Sequence, residues 1–123
     1  MCRMLLSIRP EYAESIISGE KKYEYRRVKC RENIDRILIY VTSPISQIVA
    51  EVEVLGVLVN SPSEVWRETK DYSGITSNFF YEYFYGKEKA IAYCLGAVYT
   101  FEKPKCLEEY GLSTAPQSFV YVA

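Results

Sequence analysis

Gly19-Glu20-Lys21-Lys22-Tyr23-Glu24-Tyr25-Arg26 is the stretch on which the reading of this 123-residue chain turns. A glycine suits the left-handed cap that ends a helix. The residues after it alternate charge with Tyr23 and Tyr25 in the two-residue rhythm of a strand. On an ideal strand Lys22, Glu24 and Arg26 share one face, and Lys21, Tyr23 and Tyr25 share the other. Working backwards, Pro10 fits a first helical position and Ala13, Ile16 and Ile17 recur at helical spacing, which predicts a short amphipathic helix over 10–18. Before it, residues 3–8 form an apolar run of one strand's length.

Working forwards, the charged strand covers about 22–28 and a polar turn follows over 31–35. Residues 36–42 form a β-branched strand that stops at Thr42-Ser43-Pro44, because proline interrupts a ladder. A longer strand over 48–59 carries a bend or bulge at Gly56. Ser61-Pro62-Ser63-Glu64 has the form of a capping box, predicting a helix over 62–70 with Val65 and Trp66 on its apolar side. Thr76-Ser77 caps a third helix in which Phe79, Phe80, Tyr83 and Phe84 recur as a core face, leaving Tyr81 and Tyr85 outside. Residues 89–95 and 97–101 are two strands, or one bent at Gly96, and Pro104 ends the pattern. A last strand covers 118–122. About six strands with three short helices in the connections predict one α+β domain over 1–123, a small, partly closed mixed β-barrel.

Composition narrows the function. No run of about 18 apolar residues is present and the N-terminal apolar stretch is short for a signal peptide, so a cytoplasmic protein without membrane insertion is expected. Cys2, Cys30, Cys94 and Cys106 are widely spaced and form no C-x-x-C pair, and the chain contains no histidine. Histidine triads and H-E-x-x-H sites are thereby excluded, and no metal or cofactor is expected. The net charge of −1 argues against a generally basic surface, yet the charge is uneven. Nine basic residues stand against six acidic ones through Arg36, and between Lys21 and Arg31 six basic residues accompany Glu24 alone. Such a run is either a solvated charged strand or a local basic patch facing an anionic ligand.

Gly19-x-Lys21-x-x-Glu24-x-Arg26 resembles the signature of the ASCH domain family, whose fold is PUA-like. The flanking Leu5-Leu6-Ser7-Ile8-Arg9-Pro10-Glu11-Tyr12-Ala13 and the tail Ala115-Pro116-Gln117-Ser118-Phe119 are similar to small archaeal-type members. The resemblance implies a compact barrel with a cleft beside the first helix and the motif strand, binding RNA or a nucleotide-like ligand. It also implies two enzymatic alternatives: a metal-independent amidohydrolase acting on N4-acylated cytidines, and a ribonuclease. In the deacylating branch the motif lysine is the proposed base for a threonine three residues on. That position here is Glu24, so the lysine matches and the nucleophile does not. A second acid of that branch, just before the third helix, falls nearest Asp71.

The main expectation is therefore a module that binds RNA or a modified nucleoside. Lys21, Arg26, Arg9 or Arg27 would contact phosphate, and Glu24 would accept hydrogen bonds from a sugar hydroxyl or base edge. In the catalytic alternative Lys21 and Glu24 act, with Asp71 as a third. If Lys21 faces away, Lys22, Glu24 and Arg26 remain as a same-face binding set. Thr42 and Ser43 at a strand end, and Gln117 and Ser118 before the last strand, are further candidates at the barrel mouth, against an ordinary role in turns. One structural condition decides the site: Lys21 and Glu24 share a cleft only if a bulge, or the start of the strand, turns Lys21 inward.

Overall fold

A computed structural model describes residues 2–30 and 33–122; the expected turn over 31–35 lies partly outside them. Six strands form one mixed sheet in the order β2-β5-β4-β3-β1-β6. They are β1 Arg3–Ile8, β2 Tyr23–Arg26, β3 Arg36–Val41, β4 Gln47–Asn60, β5 Ala90–Lys105 and β6 Phe119–Val122. The helices are α1 Pro10–Ser18, α2 Pro62–Thr69 and α3 Ser77–Tyr83. β1 and β3 run parallel, as a crossover through α1 and β2 requires, and the other pairings are antiparallel. β6 lies against β1 with Val122 opposite Arg3.

The sheet curls but does not close. β2 and β6 are its two edges, and the gap between β2 and β1 is bridged by a side chain. Arg26 donates to the Ser7 carbonyl and to Ser118 Oγ, each at 3.4 Å. Inside the curl, Met4, Leu6, Ile37, Ile39, Val52 and Tyr93 pack with Ala13 and Ile16 of α1. On the outer face, Tyr25, Ala90 and Ala92 receive Val65 of α2 and Phe80 of α3. A third cluster, around Leu5, Leu38 and Ile48, is covered by Leu107 and Tyr110 of a 3-10 turn that the sequence pattern did not reveal.

Gly19 ends α1 at φ +88°, the left-handed cap expected of it. The charged strand is shorter than expected, Tyr23–Arg26. Gly56 marks a register shift in the β4–β5 ladder. Proline did not stop β5: the strand continues past Gly96 and through Pro104 to Lys105. The register slips between Ile48/Lys105 and Ala50/Thr100, and an irregular ladder tolerates a missing N–H. The capping box forms on one side only. Ser61 Oγ accepts from the Glu64 N–H, while the Glu64 carboxylate pairs with Arg67.

Candidate functional site

β2 begins at Tyr23, so Lys21 precedes the strand and strand alternation does not govern it. Its N–H donates to the Ser15 carbonyl at 3.0 Å, and the N–H of Lys22 donates to the Tyr72 carbonyl at 2.8 Å. Lys21 turns inward and is 3% exposed. Lys22 turns outward, its ammonium 4.4 Å from the Tyr72 ring centroid. Lys21 Nζ donates to the Ser73 carbonyl at 2.7 Å and lies 4.8 Å from the centroid of the Tyr25 ring.

Lys21 and Glu24 thus face one cleft of ≈ 370 Å³ between α1, β2 and α3, within the range of small-ligand sites. Its charged groups are Arg9, Lys21, Glu24, Arg26 and Arg27, and its aromatic walls come from Tyr12, Tyr25, Phe79 and Tyr83. Glu24 is buried, and Arg26 gives both Nε (3.0 Å) and Nη2 (2.7 Å) to the same oxygen, Oε2. Oε1 takes no hydrogen bond among the described residues and, since none of their buried side-chain N or O atoms lacks a partner, it is open to the cleft and to a ligand N–H or O–H. Arg9 and Arg27 stand exposed at the mouth, and Arg27 Nε donates to the Tyr83 carbonyl at 2.7 Å.

Burial lowers the pKa of Lys21 from its ordinary value; Glu24 opposes the shift and Arg26 adds to it. Burial is also the main cause that pushes Tyr25 up to about 12, so its hydroxyl keeps its proton and donates to Thr69 Oγ1 at 2.7 Å. Thr69 in turn donates to the Val65 carbonyl at 2.7 Å. The floor of the cleft is therefore tied to α2 through a relay of neutral hydroxyls.

The remaining sequence candidates lie elsewhere. Lys22 is outside the cleft lining, and the same-face set with Glu24 and Arg26 does not form, because the strand starts one residue after it. Thr42 and Ser43 form the turn after β3, with Ser43–Pro44 cis and the Thr42 N–H bonded to the Ile8 carbonyl. Asp71 is exposed in a 3-10 turn away from the cleft. Gln117 is exposed outside the lining, and Ser118 touches the site through Arg26 and through its carbonyl, which accepts from the N–H of Ser7 at 3.4 Å. The sequence reading assigned Phe79 and Tyr83 to the core. Phe80 and Phe84 are buried there, whereas Phe79 and Tyr83 wall the cleft. Their i,i+4 spacing, one face away from Phe80 and Phe84, was the available signal. Trp66 is half-buried with its ring centroid 4.9 Å from that of Phe80, as a core anchor would be.

A curled half-barrel with three helices and a charged cleft beside α1 defines a small PUA-like α+β domain. The ASCH domain family model matches residues 6–105, and the chain belongs to that family. Among solved structures it resembles ASCH from Zymomonas mobilis with a TM-score of 0.88 and 25% identity, covering 98% of this chain and 87% of that one. A Zymomonas mobilis protein named ASCH domain-containing ribonuclease is 28% identical over 92 residues, 74% of this chain and 62% of that protein. Two Ureaplasma parvum proteins also match over 120 residues, 97% of this chain: ATP synthase subunit alpha at 31% identity and large ribosomal subunit protein uL22 at 29%. The chain spans only 15% and 39% of their respective lengths.

Proposed function

We propose that the chain is an RNA-binding module that takes one unpaired nucleotide into the cleft beside Lys21 and Glu24. The observation that carries this reading is the combination of exposed Arg9 and Arg27 at the mouth, aromatic walls within, and a carboxylate acceptor at Glu24. Unstacked bases are recognised by aromatic faces and by hydrogen bonds to their edges, while phosphates are held by cations. Tyr12 and Phe79, with ring centroids 6.0 Å apart, and Tyr83 opposite Arg27 supply the apolar walls. Glu24 Oε1 suits a base-edge amine or a ribose hydroxyl. Arg26 is engaged with Glu24, Ser7 and Ser118, so its part is to hold Glu24 rather than to bind phosphate.

A labelled single-stranded RNA titrated at low and moderate salt tests the reading. Affinity should fall steeply with salt, and Arg9→Ala with Arg27→Ala should reduce that slope. Absence of binding to RNA and to nucleosides would sink it.

Metal-independent RNA cleavage is the second reading, favoured by the ribonuclease name of the Zymomonas relative and by the lowered pKa of Lys21. A lysine whose pKa is lowered can take the proton of a ribose 2′-hydroxyl as that oxygen bonds to phosphorus and the P–O5′ bond breaks, the leaving 5′-oxygen taking a proton from water, and Arg9 or Arg27 would stabilise charge on the phosphate. Chelator-insensitive cleavage lost in Lys21→Ala would support it. Deacylation of N4-acylated cytidines has less behind it, since Glu24 stands where that chemistry needs a hydroxyl.

A further inference from the structure

Lys21 is held in place by a segment far away in sequence. The connector from α2 to α3 passes directly over its side chain, and Ser73 accepts from Nζ at 2.7 Å. A Cβ added to Gly74 would stand 2.7, 2.8 and 2.9 Å from Cβ, Cγ and Cδ of Lys21, so bare backbone lies along the whole lysine stem. Gly74 also has φ +71°, a conformation that costs other residues strain. On the outside, the N–H of Lys22 binds the Tyr72 carbonyl at 2.8 Å and its ammonium rests on the Tyr72 ring. The two consecutive lysines straddle the connector, one beneath it and one above. Ser73 is itself 2% exposed, and its hydroxyl donates to the Ile75 carbonyl at 2.9 Å, which fixes the turn from within.

We propose that the connector over Tyr72, Ser73 and Gly74 is the positioning element of the cleft: it sets where the Lys21 amine sits and how far water reaches it, with Tyr72 and Gly74 as its positioning residues. The role of Lys21 as a ligand contact rests on the RNA reading above, but the coupling between connector and lysine does not. Burial is the largest cause of the lowered Lys21 pKa, and the connector supplies part of that cover. The other groups facing the amine are Glu24 and Arg26 from β2, Tyr25 beside it and Tyr12 from α1, with Tyr83 of α3 across the cleft. The connector's own Lys70 and Asp71 are exposed to solvent. Loosening the connector therefore admits water without changing the charges around Lys21.

The test is an NMR titration of the Lys21 side chain in the full chain from pH 6.5 to 10, in wild type and Tyr72→Ala. Tyr72 is 49% exposed, so its truncation removes the ring beneath the Lys22 ammonium, keeps the backbone bond from the Lys22 N–H, and places no new atom against Lys21. The midpoint should rise by at least about 0.5 pH unit in Tyr72→Ala, as the charged amine regains water. An unchanged midpoint in the folded variant overturns the proposal. In parallel, an eight-nucleotide single-stranded RNA is titrated over the same range. Wild-type affinity should drop as pH climbs through the Lys21 midpoint, the drop should move upward in Tyr72→Ala, and Lys21→Ala should abolish it. Gly74→Ala, if folded, should weaken binding at pH 7 by tenfold or more, roughly the effect of displacing one charged contact. A wild type that binds no RNA refutes the RNA reading, while the NMR midpoint still decides the connector's role.

Discussion

Replacing Arg26 by alanine removes the side chain that spans the open seam of the sheet and holds Glu24. Two charge-assisted hydrogen bonds to Glu24 Oε2 are lost, at 3.0 and 2.7 Å, together with two long ones at 3.4 Å to Ser7 and Ser118. The pair is largely buried, with side-chain exposures of 14% for Arg26 and 10% for Glu24. Stranding a buried carboxylate in this way costs about 3–5 kcal/mol when nothing else can reach it. Here Lys21 remains beside Glu24 as a second cation, and water can enter the cleft, which reduces the expected loss to about 2–3 kcal/mol. For a domain of this size that is a fall in melting temperature of roughly 6–15 °C. Urea denaturation of wild type, Arg26→Ala, Glu24→Gln and the double variant measures it, with the cycle isolating the pair's coupling. A loss under about 0.5 kcal/mol, the scale of an exposed pair, would refute the view that this buried ion pair stabilises β2 at the open seam of the sheet.

Other outcomes follow from the same geometry. Phe80→Ala, at a fully buried position between Tyr25, Trp66 and Phe84, should cost about 3–5 kcal/mol in denaturant unfolding. Tyr25→Phe should cost about 1 kcal/mol, since it removes one buried hydrogen bond while Thr69 keeps its bond to Val65. Lys21 has a folded pKa below its ordinary 10.5, so the native state binds its proton less well than the unfolded chain does. Its charging therefore opposes folding fully below the lowered value, and the penalty is relieved as pH rises through that value towards 10.5. Compared with Lys21→Met, the wild type should gain relative stability as pH increases above neutrality; a pH-independent difference in urea midpoints would contradict this.

Much of the fold was legible because its signals are local. Pro10, Ala13, Ile16 and Gly19 mark α1 by the sterics of single residues, and Thr76 caps α3 through one hydrogen bond to the Phe79 N–H. Proline at 104 misled, since its missing N–H matters only where a ladder is regular, and regularity belongs to the partner strand. The site was half legible. The motif residues could be named, but which face Lys21 takes depends on Ser15, Tyr72 and Ser73, which hold the chain just before β2. Phe79 and Tyr83 were hidden for a related reason. A short helix with four aromatics has two faces to offer, and only the position of α1 decides which one stays open.

The pairing of β6 with β1 has a mechanical consequence. Arg3 and Val122 are neighbours in the sheet, so β1 begins and β6 ends at one corner. The cleft starts at Ser7 and Ile8, at the other end of β1, about 15 Å away at the rise of an extended strand. The corner where the first strand starts and the last one stops is thus held apart from the cleft by the length of β1, so a change at that corner leaves the cleft lining untouched.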